Sequence, residues 1–278
     1  MQALQWTLDF PDRIAHATTL LVSAGRLAED PIGELVIAEE GAPLSATHDH
    51  ALVPSAILLV AARRAGPSST ALRPLAALGR TRDQRGRALP GVERELHDLA
   101  SRYAGASAVI DSRLGTRRLL RDPILGSRVL HFATHSQSDP GRSWRAGLLV
   151  GDPEGGEPWL RAETIAALRV PARLCVLASC SSLGASIGTS ASGSLAAAWL
   201  LSGVPTVVAS RWDVDDEATF ELMKRFYAGL ARGLDVSRSL RAAQGELRAM
   251  PKYAAPYWWA GFVVVGDPAT RVALRTRS

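Results

Sequence analysis

Arg128-Val129-Leu130-His131-Phe132-Ala133-Thr134-His135 and Arg173-Leu174-Cys175-Val176-Leu177-Ala178-Ser179-Cys180 decide how this chain is read. Each is a short apolar run of the length of a buried strand. Each ends in a side chain capable of chemistry. Small polar residues and glycine follow both, the composition of loops at a sheet edge. In an open α/β sheet, functional groups gather at the carboxyl ends of strands. An imidazole and a thiol brought to one such edge are the parts of a cysteine nucleophile and its base. A free thiol has a pKa of about 8.5, and a neighbouring imidazole raises its thiolate fraction. The residues alone leave a plain alternative open, a buried Cys180 and a satisfied edge histidine at His135.

Working outward, strand and helix patterns alternate from about residue 53. Ser55 is placed to cap a helix over 56–64. A strand over 72–78 is interrupted by Pro74. Pro90 opens a helix through 102, where proline is tolerated. Strands are expected over 106–110, 147–150, 204–210 and 259–265. Helices are expected over 116–121, 162–168, 193–201, 215–231 and 236–250. Alternation of this kind implies a mainly parallel sheet covered on both faces. Residues 1–52 are less regular. A helix over 13–23 and a strand over 34–39 are expected there, with two short strands available to extend one sheet edge. The small-residue segment 181–193, directly after Cys180, reads as a long functional or mobile loop.

Composition narrows the class. At 278 residues and 47% hydrophobic, the chain can bury a sizeable core. No run reaches the roughly 18 apolar residues of a membrane span, and the start Met-Gln-Ala-Leu-Gln-Trp has no signal-peptide pattern. With two cysteines a disulfide scaffold is not expected. Cys175 should face the core, and the setting should be cytoplasmic and reducing. The net charge of +5 does not mark a nucleic-acid partner. The arginines are dispersed, with no basic stripe interleaved with aromatics. The basic stretch 271–278 reads as a solvated terminus.

Competing constellations fail on context. Gly184-Ala185-Ser186-Ile187-Gly188 matches G-x-S-x-G, but no strand runs into Ser186 and no histidine follows His135. His131 and His135 lack the glutamate of H-E-x-x-H. On a strand they stand roughly 13 Å apart, too far to share one ion. His48 and His50 have no third ligand nearby. With no G-x-G-x-x-G and no phosphate-loop lysine, no nucleotide cofactor and no metal is expected.

Taken in order, several segments resemble the CHAT domain. They are Val53-Pro54-Ser55-Ala56, Leu89-Pro90-Gly91-Val92-Glu93-Arg94-Glu95, the runs ending in His135 and Cys180, and 198–216 with its Ser210-Arg211-Trp212-Asp213-Val214-Asp215-Asp216. Met223-Lys224-Arg225-Phe226-Tyr227, Trp259-Ala260-Gly261-Phe262 and Gly266-Asp267-Pro268 complete the series. CHAT domains are caspase-like peptidase domains, related to caspases, metacaspases, separases and gingipains and often found beside tetratricopeptide repeats.

The resemblance implies a caspase-like three-layer sandwich, a six-stranded, mostly parallel sheet with helices on both faces. It divides the chain into an N-terminal extension (1–52), the peptidase domain (53–270) and a basic tail (271–278). His135 becomes the base and Cys180 the nucleophile of an endopeptidase acting on a protein substrate. The backbone N–H groups of Ser136 and Cys180 become the oxyanion donors. The family usually has glycine where Ser136 stands, and a serine would be strained there if the position needs positive φ. No such repeats accompany the domain here, so their sensing or partner-binding role is expected from another chain, from a missing segment, or not at all. Asp213, Trp212 and Asp139 are candidates for the substrate pocket. An acidic wall would favour cleavage after arginine or lysine. Asp215 and Asp216 have the plain alternative of helix N-terminal acids, and Trp258 and Trp259 that of core packing. The rival function is a non-catalytic caspase-like interaction module, with Ser136 as the mark of a decayed site.

Overall fold

The structure, a computed structural model, describes residues 19–22, 43–64, 73–82, 86–111, 115–137, 143–151, 156–179 and 195–277. In chain order the strands are β1 (Thr19–Val22), β2 (Asp49–Leu52), β3 (Arg73–Gly79), β4 (Ser107–Ile110), β5 (Ser127–Ala133) and β6 (Ser136–Gln137). They continue with β7 (Gly147–Leu149), β8 (Trp159–Arg161), β9 (Leu174–Leu177), β10 (Thr206–Ser210) and β11 (Phe262–Gly266). Eight of them form one sheet in the order β1-β2-β11-β10-β9-β5-β3-β4. The five from β10 to β4 are parallel. β11 runs antiparallel to β10, and β2 and β1 run parallel to β11. The carboxyl ends of β3, β5, β9 and β10 therefore share one edge with the amino ends of β11 and β2.

The strand sequences look continuously apolar because both faces are buried, but successive side chains still point to opposite faces. Ala76, Leu78, Leu130, Phe132, Cys175, Leu177 and Val207 enter one core. That core is closed by the helices Ala162–Ala167 and Leu195–Leu201, with Leu58 of Ala56–Arg64 at its margin. Leu75, Ala77, Val129, Leu174, Val176 and Val208 enter the other, under helices Pro90–Arg102, Asp216–Ala231 and Val236–Arg248. The result is the three-layer α/β sandwich. Trp199 is fully buried, its ring 5.4 Å from that of Phe132. Truncating a residue so placed costs about 3–5 kcal/mol.

Several local expectations are corrected. Residues 19–22 are strand, not helix. Thr-Leu-Leu-Val alternates exposed and half-buried, and each residue pairs with β2. Pro74 does not interrupt β3. It sits second in the strand, beyond the reach of β4, which begins opposite Ala76, so no ladder donor is lost on that side. The strand at 147–149 joins β6 and β8 in a separate three-stranded antiparallel sheet. Trp259 belongs to the short helix Pro256–Trp259, opened by its proline, and β11 starts only at Phe262. The stretch after Arg271 is no free tail. Val272 and Leu274 are buried in the second core, while the Ala104 N–H donates to the Arg275 carbonyl and the Arg277 N–H to that of Arg102. Alternation of apolar and basic residues docks the backbone and leaves the arginines outside. The strand expected over 34–39 lies outside the described residues.

Candidate active site

His135 lies between the end of β5 and the start of β6, and it is held on both sides. The Thr134 hydroxyl donates to the Leu149 carbonyl at 2.6 Å, and the Leu149 N–H donates to the His135 carbonyl at 2.9 Å. These contacts anchor the turn on β7. The ring is oriented separately, with Nε2 3.1 Å from the Arg82 carbonyl oxygen. A carbonyl only accepts, so Nε2 carries the proton in this bond. In the neutral ring the lone pair is then on Nδ1.

Arg82 is supplied by the segment leaving β3. The Arg80 N–H donates to the Ala133 carbonyl at 3.0 Å, the Leu89 N–H donates to the Thr81 carbonyl at 2.7 Å, and Arg82 bridges to Ala88. Thr81 is also bound to the Asp111 carboxylate at the end of β4. Sequence reasoning missed Arg82, because a backbone carbonyl leaves no residue-type signature.

Ser136 opens β6 opposite Leu148. Among the described residues, Asp111 is the one non-glycine residue with positive φ, so Ser136 does not carry the strain expected of a serine in a glycine position. The inter-strand bond at His135 and Leu149 makes Ser136 and Leu148 a non-hydrogen-bonded pair. Antiparallel alternation turns the Ser136 N–H away from β7.

β9 ends one strand over from β5, and Ser179 beyond it is buried, with its carbonyl accepting from the Ser210 hydroxyl. Cys180, Asp139 and the segment 181–193, including Ser186, lie outside the described residues. Cys175 faces the core as expected, and burial pushes its thiol well above the usual range.

The segment after β10 is walled by the chain entering β11. The Arg211 N–H donates to the Gly261 carbonyl at 2.8 Å, and its buried guanidinium donates to the Ala260 carbonyl at 3.1 Å. Trp212 is half-buried, and its indole N–H donates to the Tyr257 carbonyl at 3.2 Å. The Tyr257 hydroxyl in turn donates to the Asp213 carbonyl at 3.1 Å, and Asp213 itself is exposed. Trp259 is buried among core residues, with its indole N–H donating to the Ala254 carbonyl, and Trp258 packs edge-on against Tyr253 and Tyr257.

The paired acids divide their work. Asp215 caps its own helix, accepting from the N–H groups of Glu217 and Ala218 at 3.1 and 2.9 Å. Asp216 caps a different helix. Its carboxylate accepts from Gly91 and Val92 at 2.6 and 2.9 Å, closing the amino end of Pro90–Arg102. A Cβ on Gly91 would stand 2.6 Å from the Asp216 carboxylate carbon, so only glycine leaves room for this approach.

Beneath the edge, His131 is buried away from His135. Its Nδ1 meets the Tyr227 hydroxyl at 3.0 Å, and its Nε2 stands 3.1 Å from Glu95 Oε1. Burial, and then the Glu95 charge, push the Tyr227 phenol well above its usual value. His131 is thus a core histidine, bonded through Nδ1 to Tyr227 and facing Glu95 with Nε2. No group of three or more potential metal ligands occurs among the described residues.

This architecture recurs in solved structures. Saccharomyces cerevisiae separase, in complex with securin, superposes with a TM-score of 0.54 at 15% identity over 84% of this chain and 15% of the separase chain. Gingipain R, an Arg-specific cysteine proteinase, gives 0.57 at 9% identity over 87% of this chain and 59% of the other. The complex of Porphyromonas gingivalis RgpB pro- and mature domains gives 0.59 at 10% identity over 92% and 66%. At these identities the likeness is one of fold, and the chain spans only part of each neighbour. No curated protein sequence matches it. The CHAT domain model matches residues 2–267, from before β1 to just past β11. A caspase-like sheet and a sequence match over nearly its whole length place this chain in the CHAT-domain family.

Proposed function

We propose that this chain is a cysteine endopeptidase of the caspase-like type, with Cys180 as nucleophile and His135 as general base and acid. The observation that carries the reading is the bond from His135 Nε2 to the Arg82 carbonyl at 3.1 Å, which reserves Nδ1 as the basic nitrogen. Strand register supports a Cys180 partner for it. Each β9 residue paired with β5 lies 45 positions further along the chain, from Val129 with Leu174 to Phe132 with Leu177. His135 and Cys180 keep the same 45-position spacing in the sequence, and the described chain runs as far as buried Ser179, the residue before Cys180.

In the proposed cycle the Cys180 thiol gives its proton to His135 Nδ1, and the sulfur attacks the scissile carbonyl carbon. The electron pair of the C=O bond moves to oxygen. The N–H groups of Cys180 and Ser136 stabilise that oxyanion, each donor worth about 10²–10³ in rate. Collapse breaks the C–N bond as His135 protonates the leaving amine. His135 then takes a proton from water, hydroxide attacks the thioester, and the thiol returns with release of the carboxylate. Extended backbone at Ser136 supports an intact site over a decayed interaction module. Among candidates for the pocket wall, exposed Asp213 beside Trp212 favours substrates with arginine or lysine before the cut, and gingipain R is itself an Arg-specific proteinase. The substrate is a protein, and separase, solved in complex with securin, gives precedent for a partner chain.

The test is covalent labelling with a peptidyl acyloxymethyl ketone followed by peptide mapping. Rapid modification of Cys180 in the wild type, lost in His135→Ala and accompanied by lost peptide hydrolysis in both His135→Ala and Cys180→Ala, is the expected result. Labelling at equal rates with and without His135 would overturn the dyad.

A further inference from the structure

We infer that Asp111 is a positioning residue for His135, acting through Thr81 and the Arg82 carbonyl. This rests on the reading of His135 as the base, and it adds a residue just past the end of β4 whose role no sequence motif suggested.

The backbone at Asp111 is the first sign. Its φ of 47° is in the left-handed region, where a non-glycine residue is disfavoured. Aspartate tolerates that region better than most residues because its short side chain can bond locally. Here the carboxylate does not bond its own turn. One oxygen accepts the Thr81 N–H at 2.9 Å, and the other accepts the Thr81 hydroxyl. The Asp111 N–H donates to the Gly79 carbonyl at 3.0 Å. The side chain is 44% exposed, so hydrophobic packing does not explain the conformation. A less favoured backbone is retained where it aims the carboxylate at the segment leaving β3.

Thr81 is thereby gripped at every polar group: N–H and hydroxyl by Asp111, carbonyl by the Leu89 N–H at 2.7 Å. The next residue is Arg82. Fixing the Thr81 peptide, together with the bridge from Arg82 to Ala88, fixes the direction of the Arg82 carbonyl, which accepts the hydrogen bond from His135 Nε2. Released, that carbonyl is free to swing, and the imidazole is free to place its proton on either nitrogen. A neutral ring with its proton on Nδ1 has no lone pair there for the thiol proton. Asp111 touches neither nucleophile nor substrate. It sets the tautomer of the group that does.

Three variants of the full chain, labelled with ¹⁵N-histidine, test this, with the His135 ring signals assigned by His135→Asn. The wild type should show the neutral ring protonated on Nε2. Asp111→Gly relieves the φ and so keeps the fold, but it should give a mixture of tautomers. Thr81→Val should shift it in the same direction, and Asp111→Asn, which keeps an acceptor oxygen, should restore most of the Nε2 form. In peptide hydrolysis, Asp111→Gly should lower kcat about ten- to a hundredfold with KM little changed, as expected of lost orientation. A His135 tautomer identical in wild type and Asp111→Gly would overturn the proposal. The spectrum decides it whether or not the chain hydrolyses peptides, while a wild-type protein without activity or warhead labelling would overturn the peptidase reading separately.

Discussion

Gly91→Ala should destabilise the fold even though alanine is the better helix former. In a compatible position the change stabilises by roughly 0.4–1 kcal/mol. Here the new Cβ would meet the Asp216 carboxylate, with Cγ and Oδ1 both at 2.6 Å, and the Asp216 carbonyl as well. That crowding is far inside van der Waals contact, so the carboxylate must withdraw from the Gly91 and Val92 N–H groups. A hydrogen bond to a charged group is worth about 1.5–3 kcal/mol. Taking the low end for two partly buried bonds gives about 3 kcal/mol lost, and the alanine gain reduces the net to about 2 kcal/mol. For a domain of this size that is a Tm lower by roughly 4–8 °C. Urea and thermal unfolding followed by circular dichroism read it directly. Asp216→Ala should cost a similar amount by leaving the same two donors unmet. The double variant should be little worse than either single one, because the first change already removes what the second would. A Gly91→Ala protein as stable as wild type, or a double variant with fully additive losses, would refute the crowded-cap account.

The pocket and the buried titratable groups give three more expectations. Asp213→Ala should retain the fold and lose any preference for arginine or lysine before the cut, and a peptide library cleaved identically by both proteins removes Asp213 from the pocket. Burial raises the Cys175 thiol well above its usual range, so iodoacetamide at pH 8 should leave Cys175 unmodified until urea unfolds the protein; mass spectrometry showing native modification at Cys175 contradicts this. Burial, partly offset by the Arg102 charge, raises the Tyr103 phenol to about 12. Its neutral form is thus favoured by folding, and its contribution is complete below about pH 10 and lost as pH rises through about 12. Tyr103→Phe should flatten the loss of urea stability across that window, and an unchanged alkaline slope would sink the assignment.

Elements with a strong local pattern were legible. Pro90 through Arg102, the β5 and β9 runs and the helix after Asp215 stand where periodicity and capping put them. What was not legible depended on remote partners. Thr19–Val22 carries too few residues to show a period, and its pairing with β2 decided strand over helix. β6 and β8 are two and three residues long, below any window in which alternation can be counted. Val272 and Leu274 are too few to signal a docked segment until a core receives them. Within the candidate site, His135 carries a chemical signal in its imidazole, whereas Arg82 carries none, because it meets that ring through a backbone oxygen. Asp216 read as an ordinary first-turn acid, since no local rule says that a carboxylate will serve a helix 125 positions away.

The reversal of direction at β11 bears on how the domain is assembled. β11 fills the gap between β10 and β2 yet is the last strand in chain order, joining Val265 to Leu52 across more than 200 positions. While the chain is being synthesised, β1 and β2 leave the ribosome long before their seat exists, and β10 waits with one ladder edge open. Such edges are templates for wrong pairing, and long-range closures are slow. The helix Pro256–Trp259 and the Tyr257 contacts to Trp212 and Asp213 arrive in the same late stretch. Translation therefore acts as a timer, because a nascent chain cannot complete the wall against Trp212 and Asp213, the proposed substrate pocket, until almost all of this sequence has emerged.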